Sequence, residues 1–160
     1  MRQPKQILAI PFIIEENELR ILILKKRHTG YWQFISGGCE NDELEHNTVM
    51  REVQEEIGVK NISNLYQLET QNSIPVNVFS PDQKVSWADS ILVIPETIFA
   101  FKMSCCKIEL SSDEVPKQWY NMLADLPVPL PAPKNSEGKD QIGTLPQIFV
   151  NECLNQEFAT

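Results

Sequence analysis

Three glutamates, Glu52, Glu55 and Glu56, stand at positions i, i+3 and i+4 within GGCENDELEHNTVMREVQEEIGV, Gly37 to Val59. On a helix that spacing stacks all three on one face, where like charges destabilise an isolated helix. Val49, Val53 and Ile57 recur at i+4 on a different side. One stripe can therefore pack on a sheet while the acids face something else. Most acidic runs are solvated faces, but solvation explains neither the clustering nor the two adjacent glycines. Hard oxygen ligands of this kind suit Mg2+ or Mn2+, which bind carboxylates, carbonyls and water and leave positions for a substrate phosphate. Arg51 adjoins Glu52 and reaches Glu55 at i+4, and a bidentate contact from it would fix a carboxylate's orientation. Gly37 and Gly38 fit either a tight turn needing positive φ or a place where no side chain blocks a ligand from the backbone.

The surrounding elements must position these groups. QILAIPFII and LRILILKK are β-rich runs joined by EENE, a hairpin signal, and YWQFIS is a short third strand ending at Gly37. The helix follows, with Asp42 and Glu45 in a capping-box pattern and Gly58 placed to stop it. ISNLYQLETQNSIPVNVF reads as one or two strands and ILVIPETIFAFKM as another, with Pro95 at a bulge or edge. KQWYN is a candidate final strand. Pro127, Pro129, Pro131 and Pro133 make a loop, and TLPQIFVNECLNQ reads as a closing helix with Thr144 as N-cap. Strands mixed with two helices point to an α/β sandwich.

The chain of 160 residues has the size of one domain, 1–160, and can bury a core. Its formal charge of −8 disfavours a long nucleic-acid duplex, which needs a basic face. It leaves open a small phosphorylated ligand, since a bound cation reverses the local field. The first residues, MRQPKQILAIPFII, read as a strand and not a signal peptide, and no apolar run approaches a membrane span. Cys39, Cys105, Cys106 and Cys153 show no metal spacing, so reduced thiols in a cytoplasmic protein are expected.

Gly37, five residues, Glu43, seven residues, then Arg51-Glu52-Val53-Gln54-Glu55-Glu56-Ile57-Gly58-Val59 matches every fixed position of the Nudix box. On those residues the chain resembles the Nudix hydrolases. Asp42 stands where many members have glycine, a departure that touches capping more than chemistry. The resemblance implies a Nudix-type α/β/α sandwich with a mixed β-sheet, and Mg2+- or Mn2+-dependent hydrolysis of a nucleoside diphosphate linked to another moiety. It implies Glu52, Glu55 and Glu56 as metal ligands, with the Gly37 carbonyl a further one. Glu52 or a later acid would be the general base, Arg51 an orienting partner and Glu43 a supporting residue. Such domains are often homodimers.

KKRHTGYWQFISGG, VIPETIFAF and IELSSDEVPKQW are similar to a bacterial dATP or dihydroneopterin triphosphate pyrophosphohydrolase subgroup. Where those members usually carry Glu-His, this chain has Asp113-Glu114, so Glu114 is a second-tier catalytic candidate beside Asp113. Arg27 is a candidate for a phosphate, Gly38 for close substrate approach and Trp32 for stacking on a base or pterin. A solvated strand end and a core aromatic are the plain alternatives for Arg27 and Trp32. Pro75, sixteen residues past Val59, keeps ADP-ribose or another nucleoside diphosphate sugar as runner-up. A non-catalytic nucleotide-binding module is a third reading, but such modules typically lose box glutamates that are all present here.

Overall fold

The computed structural model describes residues 1–15, 18–26, 32–62, 64–103 and 114–121. Seven strands form one mixed sheet: β1 (Arg2–Glu15), β2 (Glu18–Lys26), β3 (Trp32–Gln33), β4 (Ile35–Glu40), β5 (Leu65–Pro75), β6 (Val93–Lys102) and β7 (Glu114–Asn121). The helix α1 spans Glu45–Ile57. The architecture is α/β, as expected. The closing helix and the proline-rich stretch 127–133 lie outside the described residues, as do Cys105, Cys106 and Cys153.

Strand β1 organises the sheet. Along one edge it pairs antiparallel first with β4, from Arg2↔Glu40 to Ala9↔Ile35, and then with β2, from Phe12↔Ile21 to Glu15↔Glu18. Along the other edge it runs parallel to β6. Pro11 falls between the β4 and β2 ladders, where a residue without an N–H costs least. A central strand covered on both faces needs apolar residues at consecutive positions. Accordingly Ile7, Ala9, Ile10, Phe12 and Ile13 are all buried. The hairpin is present as the sequence predicts, and ISNLYQLETQNSIPVNVF yields one long strand, β5, with an irregularity between Gln67 and Gln71.

Helix α1 buries Val49, Val53 and Ile57 against Ile7, Ala9, Ile35, Cys39, Phe99 and Phe101. This is the predicted stripe, and it fixes which way the acidic positions face. The N-terminal cap differs from expectation. The N-cap residue is Leu44, whose side chain makes no capping bond. Asp42 and Glu45 form no box; Glu43 serves the turn instead, accepting from the Glu40 N–H at 3.1 Å and from Thr48 Oγ1 at 2.9 Å. The cause is chain direction: Asn41 turns through φ 50°, so Glu43 is the acid that points back over the first helical turn.

The C-terminus agrees with the sequence. Gly58 has φ 73° and ψ 8°, and its N–H donates to the Gln54 carbonyl at 3.0 Å. A side chain is strained in that left-handed region. Gly58→Ala should therefore lower stability by about 1 kcal/mol in thermal or urea unfolding without altering the carboxylate face at temperatures where the variant is folded.

Candidate active site

The two glycines lie inside strand β4 and not in a turn. Neither has positive φ; among the described glycines only Gly58 does. The expectation of a turn, and of a strand ending at Gly37, is thus corrected. What excludes a side chain is proximity. A Cβ on Gly37 would overlap the Glu52 carboxyl group, and a Cβ on Gly38 would overlap the Arg2 guanidinium. Successive strand residues face opposite sides. One glycine therefore admits an acid from the α1 side and the other an arginine from the opposite side.

Arg51 sits at the centre. Its Nε and Nη2 donate to Glu43 Oε1 and Oε2, each at 3.1 Å, a bidentate fork. Nη2 also donates to the Gly38 carbonyl at 3.0 Å, and Nη1 to Glu52 Oε1 at 2.6 Å. Glu55 Oε2 lies 3.5 Å from Nη1. The bidentate partner is thus Glu43, while the i+4 contact to Glu55 is the longest of the set. One cation joins the start of the helix, its middle and strand β4.

The carboxylates differ because their surroundings differ. Glu43 lies below the usual carboxylate range, chiefly because Arg51 hydrogen-bonds its charged form. Glu52 lies above that range: burial outweighs the hydrogen bond and attraction from Arg51, and Glu55 adds repulsion. Glu56 is buried, whereas the Glu55 side chain is 58% exposed. The expected acidic face is therefore graded, from buried Glu56 through Glu52 to exposed Glu55. Among the described residues no three His, Cys, Asp or Glu side chains already converge into a metal cage. The donor set, carboxylates beside a backbone without side chains, still fits Mg2+ or Mn2+, which take few protein oxygens and keep several waters.

Other expected residues are placed only in part. Arg27 and Asp113 lie outside the described residues. Trp32 opens β3 opposite Lys25. Glu114 opens β7 opposite Lys26 at the end of β2. Arg2 was not anticipated. It lies 36 residues before Gly38 in the chain, and only the β1–β4 pairing brings them together.

A family model for the NUDIX domain matches residues 5–114. The chain belongs to the NUDIX family. A NUDIX structure from Listeria monocytogenes is 30% identical with a TM-score of 0.64, covering 75% of this chain and 79% of its own. The chain is accordingly a NUDIX hydrolase, an enzyme acting on pyrophosphate bonds. The dihydroneopterin triphosphate pyrophosphohydrolase of E. coli shares the fold at 19% identity and a TM-score of 0.58, covering 76% of this chain and 82% of its own. A second likeness also exists. Over 53 residues, 33% of this chain, the sequence is 51% identical to tryptophan synthase beta chain 2 of Methanothermobacter thermautotrophicus. The match spans only 12% of that protein's length. Among the described residues no helix is long and apolar enough to cross a membrane.

A group whose folded pKa is depressed stabilises above its unfolded value, and that contribution is lost as pH falls through the folded value. Glu43 is such a group. Glu43→Gln should lower the Tm at pH 7 by about 2–4 °C, the equivalent of roughly 1 kcal/mol in a chain of this size. It should also flatten the loss of Tm on the acid side. Tm measured from pH 7 down to pH 3 for both proteins checks this; parallel curves would remove Glu43 from the account.

Proposed function

We propose that this enzyme cleaves a nucleoside triphosphate-like substrate, a deoxynucleoside triphosphate or dihydroneopterin triphosphate, to a monophosphate and pyrophosphate. The observation that carries the reading is the placement of Glu52, held by Arg51 at 2.6 Å against the bare backbone of Gly37. The fold shared with the E. coli dihydroneopterin triphosphate pyrophosphohydrolase supports the substrate class.

Glu52, Glu55, Glu56 and the Gly37 carbonyl would hold a divalent cation. When bound, the cation offsets phosphate charge and acidifies water. The chain's own residues do the rest. A water oxygen attacks one phosphorus, the bridging P–O bond breaks, and the water's proton passes to a carboxylate. Glu52 suits that role because its carboxylate is held by Arg51 against the bare backbone of Gly37, beside the other donors of the set. Arg51 holds the Glu52 carboxylate in one orientation, so the base is in place before substrate arrives. Glu43 orients Arg51 in turn. Glu114, at the head of β7, is the second candidate for the base. Arg27 and Trp32 are proposed to meet phosphate and ring, and Gly38 to let substrate approach the strand.

Glu55→Gln and Glu56→Gln are each expected to reduce turnover by about a hundredfold or more with a cooperative unfolding transition retained. Phosphorus NMR of the products with Mg2+ and a panel of triphosphates and ADP-ribose tests the substrate. Pyrophosphate plus a monophosphate from one triphosphate is the expected outcome. AMP plus ribose phosphate from ADP-ribose would move the assignment to the nucleoside diphosphate sugars.

A further inference from the structure

Two guanidinium groups flank Gly38, and their hydrogen bonding differs. Arg51 is committed to Glu43, Glu52, Glu55 and the Gly38 carbonyl. Arg2 lies on the opposite face of β4, flat against Gly38. Its Nη2 donates to Gln6 Oε1 at 2.7 Å. Gln6 Nε2 donates in turn to Glu96 Oε2 at 2.7 Å, and Asn72 Nδ2 supplies Glu96 Oε1 at 2.9 Å. The other side of the guanidinium faces the Phe79 ring, 5.1 Å from its centroid. Arg2 Nε is buried with no hydrogen-bond partner among the described residues.

An unsatisfied buried donor on a charged group is costly, and a persistent one calls for an explanation. Packing alone does not supply it. The Arg2 backbone is already fixed: its carbonyl accepts from Ser86 Oγ at 3.0 Å and from Trp87 Nε1 at 2.9 Å, and Trp87 packs edge-on against Phe79. The relay through Gln6 to Glu96 aims the guanidinium while leaving Nε free. Burial pushes the Arg2 guanidinium down from its ordinary value while Glu52 draws it up, so the charge is poorly solvated and close to the carboxylate face. Gly38, against which the Arg2 guanidinium lies, is the neighbour in β4 of Gly37, against which the Glu52 carboxyl group lies.

We propose that Arg2 is an anion-binding residue of the active site, receiving through Nε an oxygen of a second phosphate of the polyphosphate substrate. The inference rests on the reading of the carboxylate face given above. Arg51 cannot fill this role because its donors are occupied. Arg2 can, since a guanidinium in a poorly hydrated place binds phosphate oxygens strongly. The excursion 76–92, attached to Arg2 through Ser86, Trp87 and Phe79, borders that guanidinium.

The test uses the full chain, 15N-labelled, with inorganic pyrophosphate as the probe, in EDTA and again with Mg2+. The Arg2 Nε–H resonance, identified by its loss in Arg2→Lys, should shift on titration. Arg2→Gln should weaken pyrophosphate binding by about tenfold or more and raise KM far more than it lowers kcat. If Arg2→Gln does not fold, the Nε–H titration of the unsubstituted protein decides. An Nε–H that stays still, or pyrophosphate affinity unchanged in Arg2→Gln, would overturn the inference and leave Arg2 as a structural plug. Hydrolysis of the triphosphate panel would survive that result. An inert panel with a responsive Nε–H would instead overturn the proposed substrate and keep the anion site.

Discussion

One guanidinium holds the candidate active site together. Arg51 spends its donors on Glu43, Glu52 and the Gly38 carbonyl, and each contact ties a different segment of chain to the others. Without it, Glu52, Glu55 and Glu56 would repel one another within about one turn of α1, with Glu43 close by at the helix start. With it, Glu43 is stabilised in its charged form and Glu52 is brought against strand β4 despite the cost of burial. These carboxylates answer to one positive charge, yet their proton affinities diverge because one is hydrogen-bonded as a fork and the other is more deeply buried.

The glycines complete that arrangement by what they lack. Strand β4 carries an acid over one glycine and an arginine over the next, on opposite faces. Such a thin strand is possible because β1 pairs along it from Arg2 to Ala9 and because α1 packs Val49, Val53 and Ile57 behind it. The tightly packed apolar layer and the charged layer are thus two sides of one helix, and the position of the second follows from the first.

Much of this was legible beforehand. The i+4 recurrence of Val49, Val53 and Ile57, the stop at Gly58 and the hairpin between β1 and β2 are local patterns, and local patterns survive into the fold. The box residues announced the family. Three features were not readable. Gly37 and Gly38 looked like a turn because two adjacent glycines commonly make one, whereas their cause is a side chain fifteen residues away and another at the start of the chain. Asp42 looked like the cap because it precedes an acid at the right spacing, but the bend at Asn41 hands the task to Glu43. Arg2 gave no local signal, since its place depends on a long-range strand pairing and on the side chains of Gln6, Glu96 and Phe79. Sequence patterns report the chain's near neighbours well, and contacts made across the sheet poorly.

Arg51 and the bare Gly37 backbone are together proposed to set Glu52 for a divalent cation. Binding of Mn2+, followed by the loss of the free-ion signal in electron paramagnetic resonance, tests it most directly, in the unsubstituted protein and in Gly37→Ala and Arg51→Lys. Both variants are expected to fold, and both to bind Mn2+ about tenfold more weakly or worse. Undiminished Mn2+ affinity in Gly37→Ala, whose added methyl group must displace the Glu52 carboxylate, would contradict it.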